Sequence, residues 1–249
     1  MNKLLQILST GILASSVPAS ANIIAGWDTW VDQGSITYDA TVVNGVSAQA
    51  VGTDSGDGAG WGAWGNDIGR SADGTWGTIT GDVAPSTSIA NDTDSVGLRN
   101  SVNSGKMTFT VTNTSGSALD LTSFHFDGIA RFTKSPDEWA LSILAGSAVT
   151  QQFNIATGVV ENVGSFADRV GEGYDIDLTG LADRTFEDQE EVIFELAFTG
   201  GLDPDSGGHN TMIDNVAIMA VPEPTTMALI FGLSVFSLVL FRRSRGVKS

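Results

Sequence analysis

The chain has no cysteine. Disulfide staples, a thiol nucleophile and thiolate metal sites are therefore excluded, and any folded body must be held by a packed core. Positive charge is also scarce: 12 lysines and arginines stand against 29 aspartates and glutamates, a net −17. Lys3, Arg242, Arg243, Arg245, Lys248 and Glu223 belong to the chain ends; setting them aside leaves seven basic and 28 acidic residues between Asn22 and Val221, a net −21. Such a body makes a poor partner for nucleic acid or an anionic membrane surface, and a better one for divalent cations and neutral or cationic polymers.

Chemical motifs are as sparse as cysteine. No P-loop or G-x-S-x-G elbow is present, and Gly60, Gly62 and Gly65 match G-x-G-x-x-G without the βαβ unit that would give the pattern meaning. The two histidines, His125 and His209, have no clustered ligand or triad partners in sequence, and they read as a strand side chain and a polar loop residue. Glu190 and Glu191 are adjacent, so a strand directs them to opposite faces and they make a poor glycosidase pair. No segment of the body has an amphipathic helical repeat, and no 20- to 50-residue repeat signals a solenoid or propeller.

What is present is period two. Met107, Phe109 and Val111 alternate with threonines; Trp139, Leu141 and Ile143 alternate with Ala140 and Ser142; and Val192, Phe194, Leu196 and Phe198 form a third half-buried strand. Leu119 and Leu121 are followed by Phe124 and Phe126, a phase shift that predicts a bulge near Thr122 and Ser123. Ile36 to Val43, Val149 to Ile155, Tyr174 to Leu178 and Met212 to Met219 are further strand candidates. Asn113 to Ser117, Thr199 to Asn210 and the long Gly52 to Asp82 stretch read as turns and loops. These features predict an all-β, antiparallel, jelly-roll-like β-sandwich as a single domain over residues 22–221.

The two ends read differently. Lys3, an apolar stretch from Leu4 to Val17 and the small-residue site at Ala19 and Ala21 predict a signal peptide over residues 1–21, cleaved before Asn22. At the other end, Pro222, Glu223 and Pro224 precede an uncharged run from Thr225 to Phe241, then Arg242, Arg243 and Arg245. As a helix that run would be about 26 Å long, enough for a thin hydrocarbon core of roughly 27 to 30 Å. The basic flank predicts a cytoplasmic C-terminus. The two prolines favour an extended, accessible segment before the helix, which lowers the ordering cost for a protease.

Residues 222–249 as a whole resemble the PEP-CTERM sorting signal of exported bacterial proteins. In that family a Pro-Glu-Pro motif, a transmembrane helix and a basic tail are read by an exosortase, an integral-membrane cysteine protease. The resemblance implies that Pro222, Glu223 and Pro224 are the recognition motif, residues 225–241 a temporary anchor in the inner membrane, and Arg242, Arg243 and Arg245 its cytoplasmic stop. It implies export followed by release to the cell surface or extracellular matrix, and it implies no activity for the body.

Two sites in the body are candidates for ligands. Asp203, Asp205 and Asp214 have spacing reminiscent of a calcium loop, but Gly207 falls on a ligand position and no helices flank it, which leaves a looser structural calcium cage or ordinary loop and strand acids. Trp61, Trp64 and Trp76 lie in a glycine-rich stretch, where they form either a carbohydrate-stacking surface or a plug at the end of the sandwich. The expectation is an exported, non-catalytic surface or matrix protein that contacts exopolysaccharide, the alternative being a secreted carbohydrate-active enzyme on a lectin-like sandwich.

Overall fold

A computed structural model of the chain describes residues 21–27, 30, 37–54, 61–64, 95–98, 104–130, 132–144, 149–162, 172–202 and 211–222. In chain order the strands are Asn22–Trp27 (β1), Thr37–Asp39 (β2), Thr41–Val42 (β3), Val46–Asp54 (β4), Trp61–Trp64 (β5), Ser95–Leu98 (β6) and Gly105–Asn113 (β7). They continue with Leu119–Ala130 (β8), Glu138–Ile143 (β9), Gln152–Val159 (β10), Glu172–Asp177 (β11), Thr185–Phe186 (β12), Glu191–Thr199 (β13) and Thr211–Pro222 (β14). These strands form two antiparallel sheets of eight and six strands, and no helix occurs among the described residues. The all-β expectation is met.

The first sheet is centred on β8 and β14, the longest strands at 12 residues each. Its order is β11-β8-β14-β1-β3, with β12 beside β8 and with β6 joining β5 to β14. The second sheet runs β10-β9-β13-β7-β4-β2. Alternation drives its assembly. In β7 and β13 every second residue is buried, and the register sets Phe194 opposite Phe109, Leu196 opposite Met107 and Val192 opposite Val111. Apolar cross-strand pairs of this kind stabilise one register and penalise a slip, because a one-residue shift would turn every ring into solvent.

The sheets meet through aromatic side chains. Phe109 of the second sheet lies 5.4 Å from Phe124 and 4.9 Å from Trp27 of the first, both edge-on, and Phe124 lies 5.4 Å from Phe194. Edge-on contacts place the positive rim of one ring on the negative face of the next, adding about 0.5 to 1.5 kcal/mol per pair to the area buried.

The predicted bulge is present. Met219 of β14 faces Ser123 of β8 and the next residue, Ala220, faces Leu121, which leaves Thr122 without an opposite number. The displaced Thr122 carbonyl accepts the Leu178 amide at 2.9 Å. The extra residue is what lets Leu119, Leu121, Phe124 and Phe126 all face the core on one strand.

Other boundaries differ from the sequence reading. Ile36 to Val43 is not one strand: β2 pairs with β4 in the second sheet and β3 with β1 in the first, so the chain changes sheet at Ala40. The alternation there survives the break, and so conceals it. The strand expected at Val149 to Ile155 runs from Gln152 to Val159 instead, with an irregular register between Gln152 and Ala156 and a left-handed Asn154 (φ 51°). Gly52 to Asp82 was expected to be loop, yet Gly52–Asp54 continue β4, and Trp61–Trp64 pair with Ser95–Leu98.

The last strand ends on Pro222, opposite Leu119, and β1 begins at Asn22 beside Ala220. Proline suits a strand terminus because it offers no amide to the ladder. Residues 1–20 of the expected signal peptide, Glu223, Pro224, the 225–241 segment, Arg242, Arg243 and Arg245 lie outside the described residues. Among the described residues no helix is long and apolar enough to cross a membrane.

Candidate functional site

The edge strands β10 and β11 terminate the two sheets on the same side, and a cleft of about 490 Å³ lies between them. Its walls include Trp139 of β9, Ile155 and Thr157 of β10, and Tyr174, Asp175 and Asp177 of β11. Tyr174 bridges the two sheets. Its phenol oxygen is 2.9 Å from the Val159 carbonyl and 2.7 Å from Glu172 Oε2, so one proton is shared between two acceptors. Its ring stacks on Phe126 at 4.8 Å and meets Trp139 at 5.2 Å. Burial first, then the hydrogen bond and charge of Glu172, raise the phenol well above its ordinary value of 10.0.

Trp139 is 5% exposed. It lies across Gly158, its partner on β10, where an added Cβ would approach Cε2, Cζ2 and Nε1 to 2.7 Å. Its indole N–H has no hydrogen-bond acceptor among the described residues. Asp177 is fully exposed, and its Oδ1 accepts both the hydroxyl and the amide of Thr179, at 2.6 and 2.8 Å. Those two bonds hold its carboxyl below the usual range. No basic residue lines the cleft among the described residues.

Asp175 also belongs to a polar line running into the first sheet. Its Oδ1 lies 2.8 Å from His125 Nδ1, while His125 Nε2 lies 3.1 Å from Asp127 Oδ1. Both ring nitrogens of His125 thus face carboxylate oxygens. Asp127 Oδ2 accepts the Asn215 side-chain amide at 3.0 Å, and Asn215 N donates to Asp214 Oδ1 at 2.7 Å. Asn215 is left-handed (φ 49°) where β14 slips register, between Asp214 and Ala217. His125, Asp127, Asp214 and Asn215 are all buried. Buried polar groups that hydrogen-bond one another in a line avoid the cost of burying any of them unpartnered.

The structure separates the residues that the sequence singled out. Trp61 is 4% exposed, its N–H donates to the Thr53 carbonyl at 3.0 Å, and its ring meets Phe198 edge-on. It is a core residue, so of the two alternatives for Trp61 the buried one holds and the exposed sugar-stacking face does not: pairing of β5 with β6 carries it inward. The backbone of Trp64 ends β5, and Trp76 lies outside the described residues. Asp203, Asp205 and His209 lie outside them too, while Asp214 accepts hydrogen bonds from Trp30 Nε1, at 3.1 Å, and from Asn215 N. Gly62 sits in a strand opposite Gly97, a geometry unsuited to cradling phosphate. The β10–β11 cleft had no sequence signal beyond Trp139 and Tyr174 on separate strands, and the His125–Asp175 pair spans 50 residues.

No family model matches the chain, and no characterised protein matches it by sequence. Similar solved structures include a carbohydrate-binding module, TmCBM61, in complex with beta-1,4-galactotriose, at 8% identity and TM-score 0.31 over 53% of this chain and 72% of that one. A family 11 carbohydrate-binding module from Clostridium thermocellum gives 8% and 0.31 over 79% and 96%. A GH29 fucosidase from Ruminococcus gnavus gives 9% and 0.35 over 73% of this chain but only 26% of its own length. Similarities of this size define no family and assign no ligand.

Proposed function

We propose that this is an exported, non-catalytic surface or matrix protein whose β-sandwich contacts exopolysaccharide, and that an exosortase sorts it through Pro222, Glu223 and Pro224. The observation that carries this reading is the junction at the end of β14. The last strand, hydrogen-bonded on both sides, runs without a spacer into the Pro-Glu-Pro motif, and the first strand starts beside it at Asn22. A body whose two processing points emerge together from one sheet is suited to being held at a membrane at one end and then released whole.

A non-catalytic role fits the carboxylates of the cleft. Each of the two carboxylates has a local partner: Asp175 Oδ1 lies 2.8 Å from His125 Nδ1, and Asp177 Oδ1 accepts the Thr179 hydroxyl at 2.6 Å. Asp177 stays ionised at neutral pH because Thr179 stabilises its charged form, so it is a poor proton donor. Asp175 is occupied by His125.

Mass spectrometry of material released by the producing cells tests the sorting. Released chains end short of Ser249, and Glu223→Ala retains the protein in the inner membrane. Intact chains ending at Ser249 in wild-type released material, or unchanged processing of the variant, overturn the exosortase reading.

A further inference from the structure

We propose that His125 is held as a doubly protonated imidazolium between Asp127 and Asp175, a pH-dependent clasp that fastens the edge strand β11 to the buried middle of the first sheet. Loss of that proton at alkaline pH frees the Asp175 end.

The geometry asks for two donors on one ring. His125 Nδ1 lies 2.8 Å from Asp175 Oδ1 and Nε2 lies 3.1 Å from Asp127 Oδ1, distances that do not depend on where the hydrogens sit. A neutral imidazole has one N–H and one lone pair, so one of the two contacts would set a lone pair against a carboxylate oxygen. A further proton relieves that contact. The ring is its natural seat, because an imidazole ordinarily takes up a proton near pH 6.5 and a carboxylate only near about 3.9.

Burial opposes the charge, since the His125 side chain has no exposed surface and desolvation by itself favours the neutral ring. Two adjacent carboxylates and hydrogen bonds at both nitrogens act the other way. The groups that strand register sets around the ring are acidic or neutral: Asp127 on β8, Asp175 and by alternation Asp177 on β11, and Ala217 opposite on β14, with Asp214 and Asn215 beyond the irregularity. Lys106 and Arg184 make their ion pairs elsewhere, with Glu195 and Asp120. The two acidic ends of the clasp are unequal. Asp127 is fully buried and its second oxygen accepts the Asn215 amide, whereas the Asp175 side chain is 55% exposed on an edge strand. Asp175 is therefore the end that turns to solvent when the ring gives up its proton.

Nitrogen-15 labelling of histidine reads the ring directly in NMR spectra of the full chain in detergent, and His209→Gln assigns the signal because the chain has two histidines. At about pH 8 both His125 nitrogens give imidazolium shifts, although an ordinary imidazole is almost wholly neutral there. The folded value lies above the unfolded one, so the stabilisation is complete below about pH 6.5 and is lost as pH rises through the folded value. Urea midpoints therefore fall between about pH 6.5 and 9. Asp175→Asn keeps an acceptor but removes a charge, so the ring titrates at lower pH and the fall in urea midpoint shrinks while the chain stays folded. A neutral His125 tautomer at pH about 8, or a titration and pH profile that Asp175→Asn leaves unchanged, overturns the proposal.

Discussion

Tyr174 holds its proton more tightly in the folded chain than in the unfolded one, because burial and Glu172 both disfavour the phenolate. The folded value lies above the unfolded 10.0, so the stabilisation is fully present below pH 10 and is lost as pH rises from there toward the folded value. Urea melts across the alkaline range show stability falling above pH 10, and Tyr174→Phe flattens that fall. An identical alkaline profile in the variant would mean that the phenol carries no differential charge cost. Asp177 works in the opposite sense. Its carboxyl is lowered by Thr179, so its contribution is present above the ordinary 3.8 and disappears as pH falls through the folded value. Deeper in, Phe126 packs on Tyr174, Trp139 and Phe198 and is fully buried, so Phe126→Ala costs about 3 to 5 kcal/mol by denaturant melting.

At the scale of elements, β10 is held to its neighbour by a ring lying across a glycine. The Trp139 indole occupies the space that a side chain at Gly158 would need, with contacts of 2.7 Å to three of its atoms. Gly158→Ala forces the ring to move within packed surroundings, and overpacking of this kind costs about 1 to 3 kcal/mol. The substitution lowers the Tm and shifts tryptophan emission; a silent melt would show that the indole swings away freely into the cleft. The strands β7, β9 and β13 were legible from alternation because each sends its large apolar side chains to one face, and that pattern is written within six to nine residues. The sheet change at Ala40 and the hairpin of β5 with β6 were not. Thr41–Val42 and Trp61–Trp64 are too short to carry a period, and the glycine-rich sequence around Trp61–Trp64 resembles loop composition.

For the molecule as a whole, the decisive strand is the last. β14 lies between β8 on one side and β1 and β6 on the other, and it supplies Ile213, Val216 and Ile218 to the core. The first sheet therefore closes only when the C-terminal end of the body is available, and its contacts join residues almost the full length of the domain apart. Folding of this kind waits on long loop closure. A chain truncated after Asn210 lacks a cooperative thermal transition, whereas one ending at Pro222 melts in a single step in circular dichroism. Cooperative melting of the shorter chain would show that the second sheet folds alone.

Alternation, the missing cysteine, the acidic balance and the order of motif, apolar run and basic tail are local or additive properties, and the sequence by itself determined them. So was the bulge at Thr122, since two apolar phases on one strand can face one core only by inserting a residue. The fate of Trp61, the partners of His125 and the cleft between β10 and β11 were decided by tertiary structure alone. A tryptophan in a glycine-rich stretch has the same local chemistry whether it faces water or Phe198, and only the pairing of β5 with β6 chooses between them. An aspartate 50 residues from a histidine becomes its partner only when β11 docks on β8. Local sterics set which residues alternate; which edges end up facing one another depends on every contact in both sheets at once.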